Sequence, residues 1–271
     1  MPNSAAALRP AVPDAGDLAA FAEQLADLAR PIVRSYFRTP VGVEWKADLS
    51  PVTVADTAVE RALREAIAAR FPDHGILGEE EAAVGIDRPV VWVVDPIDGT
   101  KSFMTGLPLF GTLIAAVAQG RAEVGVIEVP ALGDRWIGIA GAGTRFNGAP
   151  CSTSAAARLG EARLYATSPD MFAPAEGAAF GALAQKVALR RFGGDCYAYG
   201  LVACGHVDLV VEAGLKPYDY MALVPVVEGA GGVITDWRGA PLTIASGGQV
   251  VAAATAALHA AALAELQPAA R

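Results

Sequence analysis

Asp95 and Asp98, three residues apart in Trp92-Val93-Val94-Asp95-Pro96-Ile97-Asp98-Gly99-Thr100, are the side chains best spaced to do chemistry. The apolar run before them reads as a buried strand that delivers Asp95 at its end. Pro96 has no N–H, so the sheet ladder is expected to stop there and the chain to turn. Across such a turn both carboxylates can reach one ion or a pair of ions, and hard oxygen ligands suit Mg²⁺ or Mn²⁺ rather than zinc. Gly99 permits a close backbone approach, and the amides of Gly99 and Thr100 could cradle phosphate oxygens. A plain Asp-Pro-x-Asp-Gly turn is the structural alternative, because all three residue types are common in turns.

Other acidic residues fall at places where elements begin or end. Glu79 and Glu80 follow Gly75-Ile76-Leu77-Gly78, where they could simply be solvated. Asp56 could be the reciprocal partner of a Thr53 helix cap. Asp219 and Asp195, the latter after Gly193-Gly194, could each cap a following helix. His74, His206 and His259 have no motif around them, and Cys151, Cys196 and Cys204 read as small core residues. No Ser-His-Asp or Cys-His arrangement and no glycine-rich nucleotide loop is visible.

The elements that must hold these residues follow from periodicity. Leu18, Phe21, Ala22, Leu25, Leu28, Ala29, Ile32, Val33 and Tyr36 predict an amphipathic helix over about 16–38, with Pro31 bending or breaking it. A second helix is expected from about Thr53 to Arg70. Strands are expected over 90–94, 109–118, 124–129 and 135–140, mostly joined as hairpins. Residues 1–15 read as a flexible tail, 16–150 as an α+β half and 151–271 as an α/β half, with the glycine-rich stretch before Pro150 at the boundary. In the second half, strands are expected over 164–168, 207–213 and around Val233 and Val250. Helices are expected over 174–187, 196–204, 219–230 (despite Pro225) and the alanine-rich end.

The 271 residues include 53% hydrophobic and 18% charged, enough for a sizeable core. No apolar run reaches the roughly 18–20 residues of a membrane span. Three cysteines without a CxxC pair argue against a disulfide framework or a zinc site and for a reducing cytoplasm. A net charge of −8 repels nucleic acid and anionic membranes. It would also repel a phosphate substrate unless cations sit in the site.

Gly78-Glu79-Glu80, Asp95-Pro96-Ile97-Asp98-Gly99-Thr100, and Tyr218-Asp219 followed by Glu228-Gly229-Ala230-Gly231-Gly232 resemble the signatures of the inositol monophosphatase family, in that family's order. Lys46 and Ser50-Pro51-Val52-Thr53-Val54-Ala55-Asp56 resemble its N-terminal element, so the likeness covers nearly the whole chain. The resemblance implies a layered αβαβα sandwich, magnesium dependence with two or three ions, lithium inhibition, a homodimer and a small phosphate monoester as substrate. It implies that Glu79, Asp95 and the Ile97 carbonyl hold a first ion, that Asp95, Asp98 and Asp219 hold a second, and that a weaker third sits near Glu79. Asp56 and Thr100 would orient and activate the attacking water.

Within the superfamily, Phe110-Gly111-Thr112-Leu113-Ile114-Ala115, Gly193-Gly194-Asp195-Cys196-Tyr197-Ala198-Tyr199-Gly200 and the stretch from Gly205 to Tyr220 are similar to the histidinol-phosphate phosphatase branch. Histidinol phosphate carries an ammonium and an imidazole, so acidic groups would favour it. Asp195 and Glu212 are the candidates for that pocket, beside Asp98. Lys101 also resembles the branch that cleaves 3′-phosphoadenosine 5′-phosphate. Inositol 1-phosphate is a further alternative, and a catalytically silent regulatory relative is the non-enzyme reading.

Overall fold

The computed structural model describes residues 14–40, 42–45 and 51–270. Most of the expected tail, with Lys46 and Ser50, lies outside them. The chain runs α1 (Ala15–Tyr36), β1 (Val43–Trp45), β2 (Pro51–Thr53), α2 (Val54–Arg70), β3 (Gly75–Gly78), β4 (Val90–Asp98) and the short α3 (Thr100–Met104). A meander follows: β5 (Gly111–Ala118), β6 (Arg121–Val129), β7 (Asp134–Ile139), β8 (Gly143–Phe146) and β9 (Ala149–Pro150). Then come β10 (Arg163–Ala166), α4 (Pro174–Ala184), β11 (Leu189–Phe192), α5 (Asp195–Ala203), β12 (Leu209–Glu212), α6 (Pro217–Tyr220), α7 (Leu223–Gly229), β13 (Val233–Thr235), β14 (Val250–Ala253) and α8 (Ala256–Leu266).

Strands β3 to β9 form one seven-stranded sheet in sequence order, parallel between β3 and β4 and antiparallel thereafter. A five-stranded sheet has the order β11-β10-β12-β14-β13, with its first three strands parallel. Helices α1 and α2 bury their apolar stripes on one face of the larger sheet, around Trp92. Its other face packs on α5 and α7, which share a core with the smaller sheet around Trp136 and Tyr199. On the outer side of the smaller sheet, α4 and α8 close a third core around Trp237. The chain is therefore a layered αβαβα sandwich. Among the described residues no helix is long and apolar enough to cross a membrane.

Three local expectations are corrected. Strand β4 does not stop at Pro96 but continues to Asp98 through a register shift, with Asp95 opposite Leu113 and Asp98 opposite Gly111. Thr112 Oγ1 donates to the Pro96 carbonyl at 2.8 Å, so the bulge is tied to the neighbouring strand although proline donates nothing. The helix expected over 219–230 is two helices, α6 and α7, broken at Met221-Ala222. Pro225 has no N–H for the Met221 carbonyl and its ring crowds that oxygen, so one continuous helix is disfavoured there. Pro31, in contrast, does not interrupt α1, whose turns on both sides are buried at Ala26, Ala29 and Val33.

The turn between α6 and α7 rests directly on the larger sheet. A Cβ on Gly125 would meet the Ala222 carbonyl oxygen at 2.0 Å, and one on Gly138 would meet the Pro225 carbonyl oxygen at 2.2 Å. These two glycines set how closely the segment bearing Asp219 approaches the sheet bearing Asp95. Gly125→Ala is expected to destabilise the fold by about 1–3 kcal/mol in urea unfolding, because backbone must move to admit the methyl group. An unchanged midpoint would mean that the close approach is not a constraint.

Candidate metal centre and adjoining pocket

The bulge in β4 brings Asp95 and Asp98 to one side of the sheet end. Asp95 Oδ1 accepts the Ile97 N–H at 3.0 Å, which holds the carboxylate over its own turn. Asp98 Oδ2 accepts the Cys196 N–H at 2.6 Å and so ties the first turn of α5 to the sheet. Asp219 lies in α6, where its Oδ2 accepts the Lys216 N–H at 2.7 Å. One ligand oxygen from each of Asp95, Asp98 and Asp219 lies within 4.8 Å of the other two. Glu79 follows β3 and is close enough that its charge acts on both Asp95 and Asp219.

The electrostatics are those of uncompensated burial. Asp95 is pushed well above the usual carboxylate range, first by burial and then by Glu79, Asp98, Asp219 and Asp56. Asp98 rises for the same reason, with Asp195 and Asp219 as the neighbouring charges. Asp219 is pushed up to about 7 by burial, against the lowering effect of the Lys216 N–H. Such shifts mark charges that lack a counterion.

Asp56 divides its two oxygens. Oδ2 accepts the Thr53 N–H at 2.8 Å and the Thr53 hydroxyl, which makes the capping box that starts α2. Oδ1 is buried and has no hydrogen-bond partner among the described residues. The capping role is therefore real but accounts for half of the carboxylate. An orphaned buried oxygen beside three converging carboxylates, with the Ile97 carbonyl nearby, is an all-oxygen donor set that fits a hard divalent cation. Thr100 Oγ1 donates to the Ile97 carbonyl at 3.2 Å, which leaves that oxygen a second lone pair.

A pocket of about 280 Å³ opens beside this cluster. Glu79, Asp98, Gly99, Thr100 and Asp219 line one part, and Lys101, Asp195, Tyr199 and Glu212 line another. Asp56 and Asp95 are not on its surface. Gly99 has φ 83° and a Cβ there would meet the Asp195 carboxylate at 2.8 Å, so glycine allows the loop and Asp195 to touch. Asp195 is the first residue of α5 rather than its cap, and its Oδ2 accepts the Ser102 hydroxyl at 2.6 Å. Burial raises its carboxyl, while Ser102 and the Lys101 charge act in the opposite direction. Glu212 ends β12 and accepts the Thr167 N–H at 2.7 Å and the Tyr199 hydroxyl at 2.8 Å. Burial raises it too.

The structure thus gathers Glu79, Asp95, Ile97, Asp98, Gly99, Thr100, Asp195, Glu212 and Asp219 around one site, with Asp56 acting on Asp95 from α2. The sequence reading missed the supports: Ser102 and Tyr199 at the pocket carboxylates, and Glu60 and Arg64 beneath Glu79. A signal for the last pair existed. Asp56, Glu60 and Arg64 recur every four residues beside the stripe Val59, Leu63 and Ile67, a charged row flanking a buried one. His74 Nδ1 accepts the Trp92 indole N–H, His259 contacts Thr235, and all three cysteines are free.

Comparison with known proteins agrees with this geometry. The model of the inositol monophosphatase family matches residues 14–270. The bifunctional phosphatase IMPL2, chloroplastic, of Arabidopsis thaliana is 45% identical over 258 residues, covering 92% of this chain and 75% of that protein. A histidinol-phosphatase of Chlorobaculum parvum is 39% identical over 220 residues, covering 80% of this chain and 84% of its own. An inositol monophosphatase structure from Zymomonas mobilis superposes with TM-score 0.86 at 43% identity, over 94% of this chain and 100% of that one. The chain therefore belongs to the inositol monophosphatase family of phosphoric monoester hydrolases.

Proposed function

We propose that the chain hydrolyses L-histidinol phosphate to L-histidinol and phosphate with magnesium, in a cytoplasmic route of histidine biosynthesis. The observation that carries this reading is a pair of carboxylates, half-buried Asp195 and buried Glu212, in the same pocket as the metal-ligand candidates. An ammonium group and a protonatable imidazole would be drawn to them. The histidinol-phosphatase among its relatives supports the same choice. Inositol 1-phosphate is the second reading, because carboxylates also accept hydrogen bonds from sugar hydroxyls and an inositol monophosphatase superposes closely.

In this reading Glu79, Asp95, the Ile97 carbonyl, Asp98 and Asp219 would supply the oxygens that hold the divalent cations. Divalent cations there would offset the acidic charge, polarise the phosphoryl oxygens and lower the pKa of water. The amides of Gly99 and Thr100 would bind the phosphate. Asp56 Oδ1 and the Thr100 hydroxyl would orient the attacking water, with Asp56 as proton acceptor. Burial raises Asp56, which makes it a stronger base near neutral pH.

Phosphate release should be compared for histidinol phosphate, inositol 1-phosphate and 3′-phosphoadenosine 5′-phosphate, each with magnesium and with EDTA. The expected result is a magnesium-dependent preference for histidinol phosphate. Preference for either other compound would reject the substrate. Asp95→Asn is expected to lower kcat at least about a thousandfold, since Asp95 would help to hold the cations that stabilise charge on the reacting phosphate. The same variant should not melt below the parent protein in EDTA, because it removes one charge from a repelling cluster. Retained turnover would contradict the metal assignment.

A further inference from the structure

Helix α2 grips the ligand loop after β3 from below. Glu60, fully buried, accepts the Glu80 N–H at Oε2 (2.7 Å) and the Glu81 N–H at Oε1 (3.0 Å). Arg64, one turn on, donates from Nε to Glu60 Oε1 at 2.8 Å and from its terminal nitrogen to the Glu81 carbonyl at 2.8 Å. The loop backbone is thus held at three points by one ion pair. Gly78 makes room for it: a Cβ there would lie 2.1 Å from Glu60 Oε1. A surface i,i+4 pair would do none of this; here both partners are withdrawn from water, with Arg64 9% exposed.

We propose that Glu60, oriented by Arg64, is a positioning residue that fixes the backbone on either side of Glu79 and so aims the Glu79 carboxylate at the ion held with Asp95. This rests on the reading of Glu79 as a metal ligand given above. Glu60 touches neither substrate nor reacting atoms. Its two accepted N–H groups belong to the residues immediately after Glu79, and the glycine that makes room for it is the residue immediately before. Glu79 therefore sits in a backbone segment with almost no freedom to swing away. Asp56 lies one turn earlier on the same helix, so α2 sets the position of the water-side carboxylate and of the Glu79 loop together.

The test is calorimetric titration of magnesium into the substrate-free protein for the parent, Glu60→Gln, Glu79→Gln and the double variant. Glu60→Gln is expected to weaken magnesium binding about 10–100-fold, the range for groups that hold a ligand in place. In the Glu79→Gln background the same change should cause no further loss, because the two act through one ligand. Hydrogen exchange of the segment after β3 should quicken in Glu60→Gln. Where Glu60→Gln fails to fold, Arg64→Lys carries the test with the same outcomes, since it keeps the charge but loses the fork that reaches both Glu60 and Glu81. Full magnesium affinity in Glu60→Gln, with only a lower melting temperature, would overturn the proposal. So would an equal loss in both backgrounds. Undiminished affinity in Glu79→Gln alone would identify a different failure, that of the metal assignment, and the positioning role would fall with it.

Discussion

Several carboxylates held close together, Asp95 buried and Asp98 and Asp219 half-buried, are the constraint on which this molecule turns. Asp95, Asp98 and Asp219 are each raised first by burial; Glu79, Asp98 and Asp219 raise Asp95 further, Asp195 and Asp219 raise Asp98, and Glu79 and Glu212 raise Asp219. Folding must work against that repulsion, and most features near the site serve to hold the acids despite it. The β4 bulge places two of them three residues apart on one side. Backbone N–H groups of Ile97, Cys196 and Lys216 each take one oxygen. Gly125 and Gly138 let α6 and α7 settle against the sheet that carries the others.

The fold treats three other buried acids differently. Glu128 is bridged by Arg30 and Arg135, Asp208 by Arg163, and Glu60 by Arg64. Those carboxylates are structural, and their guanidinium partners come from the chain itself. Asp95, Asp98 and Asp219 each accept a backbone N–H but, among the described residues, take no such bridge. Lys101 beside Asp195 is the nearest approach to one. Asp95, Asp98 and Asp219, which take no guanidinium partner among the described residues, are arranged to suit cations from solution. Cations held there would reverse the local sign of charge and let an acidic protein admit a phosphate dianion.

Much of this was legible in the residues. The strand before Asp95, the capping box at Thr53 and Asp56, the helix over α1 and the meander β5–β7 follow from local periodicity and turn chemistry, which act over a few residues. Asp195 and Glu212 were legible as pocket candidates through the resemblance. What was not legible depends on distant partners. Pro96 reads as a strand stop until Thr112, sixteen residues on, anchors its carbonyl. Met221-Ala222 reads as mid-helix until the proline four residues later and the underlying Gly125 are placed together. Glu60, which the sequence reading missed, takes on its role only once the loop after β3 folds onto it.

The most direct test of the central claim is the rise in melting temperature on adding magnesium, measured as a function of pH. A carboxyl raised in the fold stabilises it while protonated; that contribution is complete below the unfolded pKa and is lost as pH climbs through the folded one. Asp219, pushed up to about 7, together with Asp95 and Asp98 shifted the same way, therefore makes the metal-free protein progressively less stable up to about neutrality. His74 and His259, lowered by burial, act in the opposite sense, but neither lines the pocket or belongs to the carboxylate cluster, so their contribution is expected to be the same with and without the ion. The increment due to magnesium isolates the site. It is predicted to grow steadily from about pH 5 to about pH 8 as the ion replaces the lost protons. An increment already at its full value near pH 5 would show carboxylates of ordinary acidity, and would contradict the account of a repelling cluster relieved by cations.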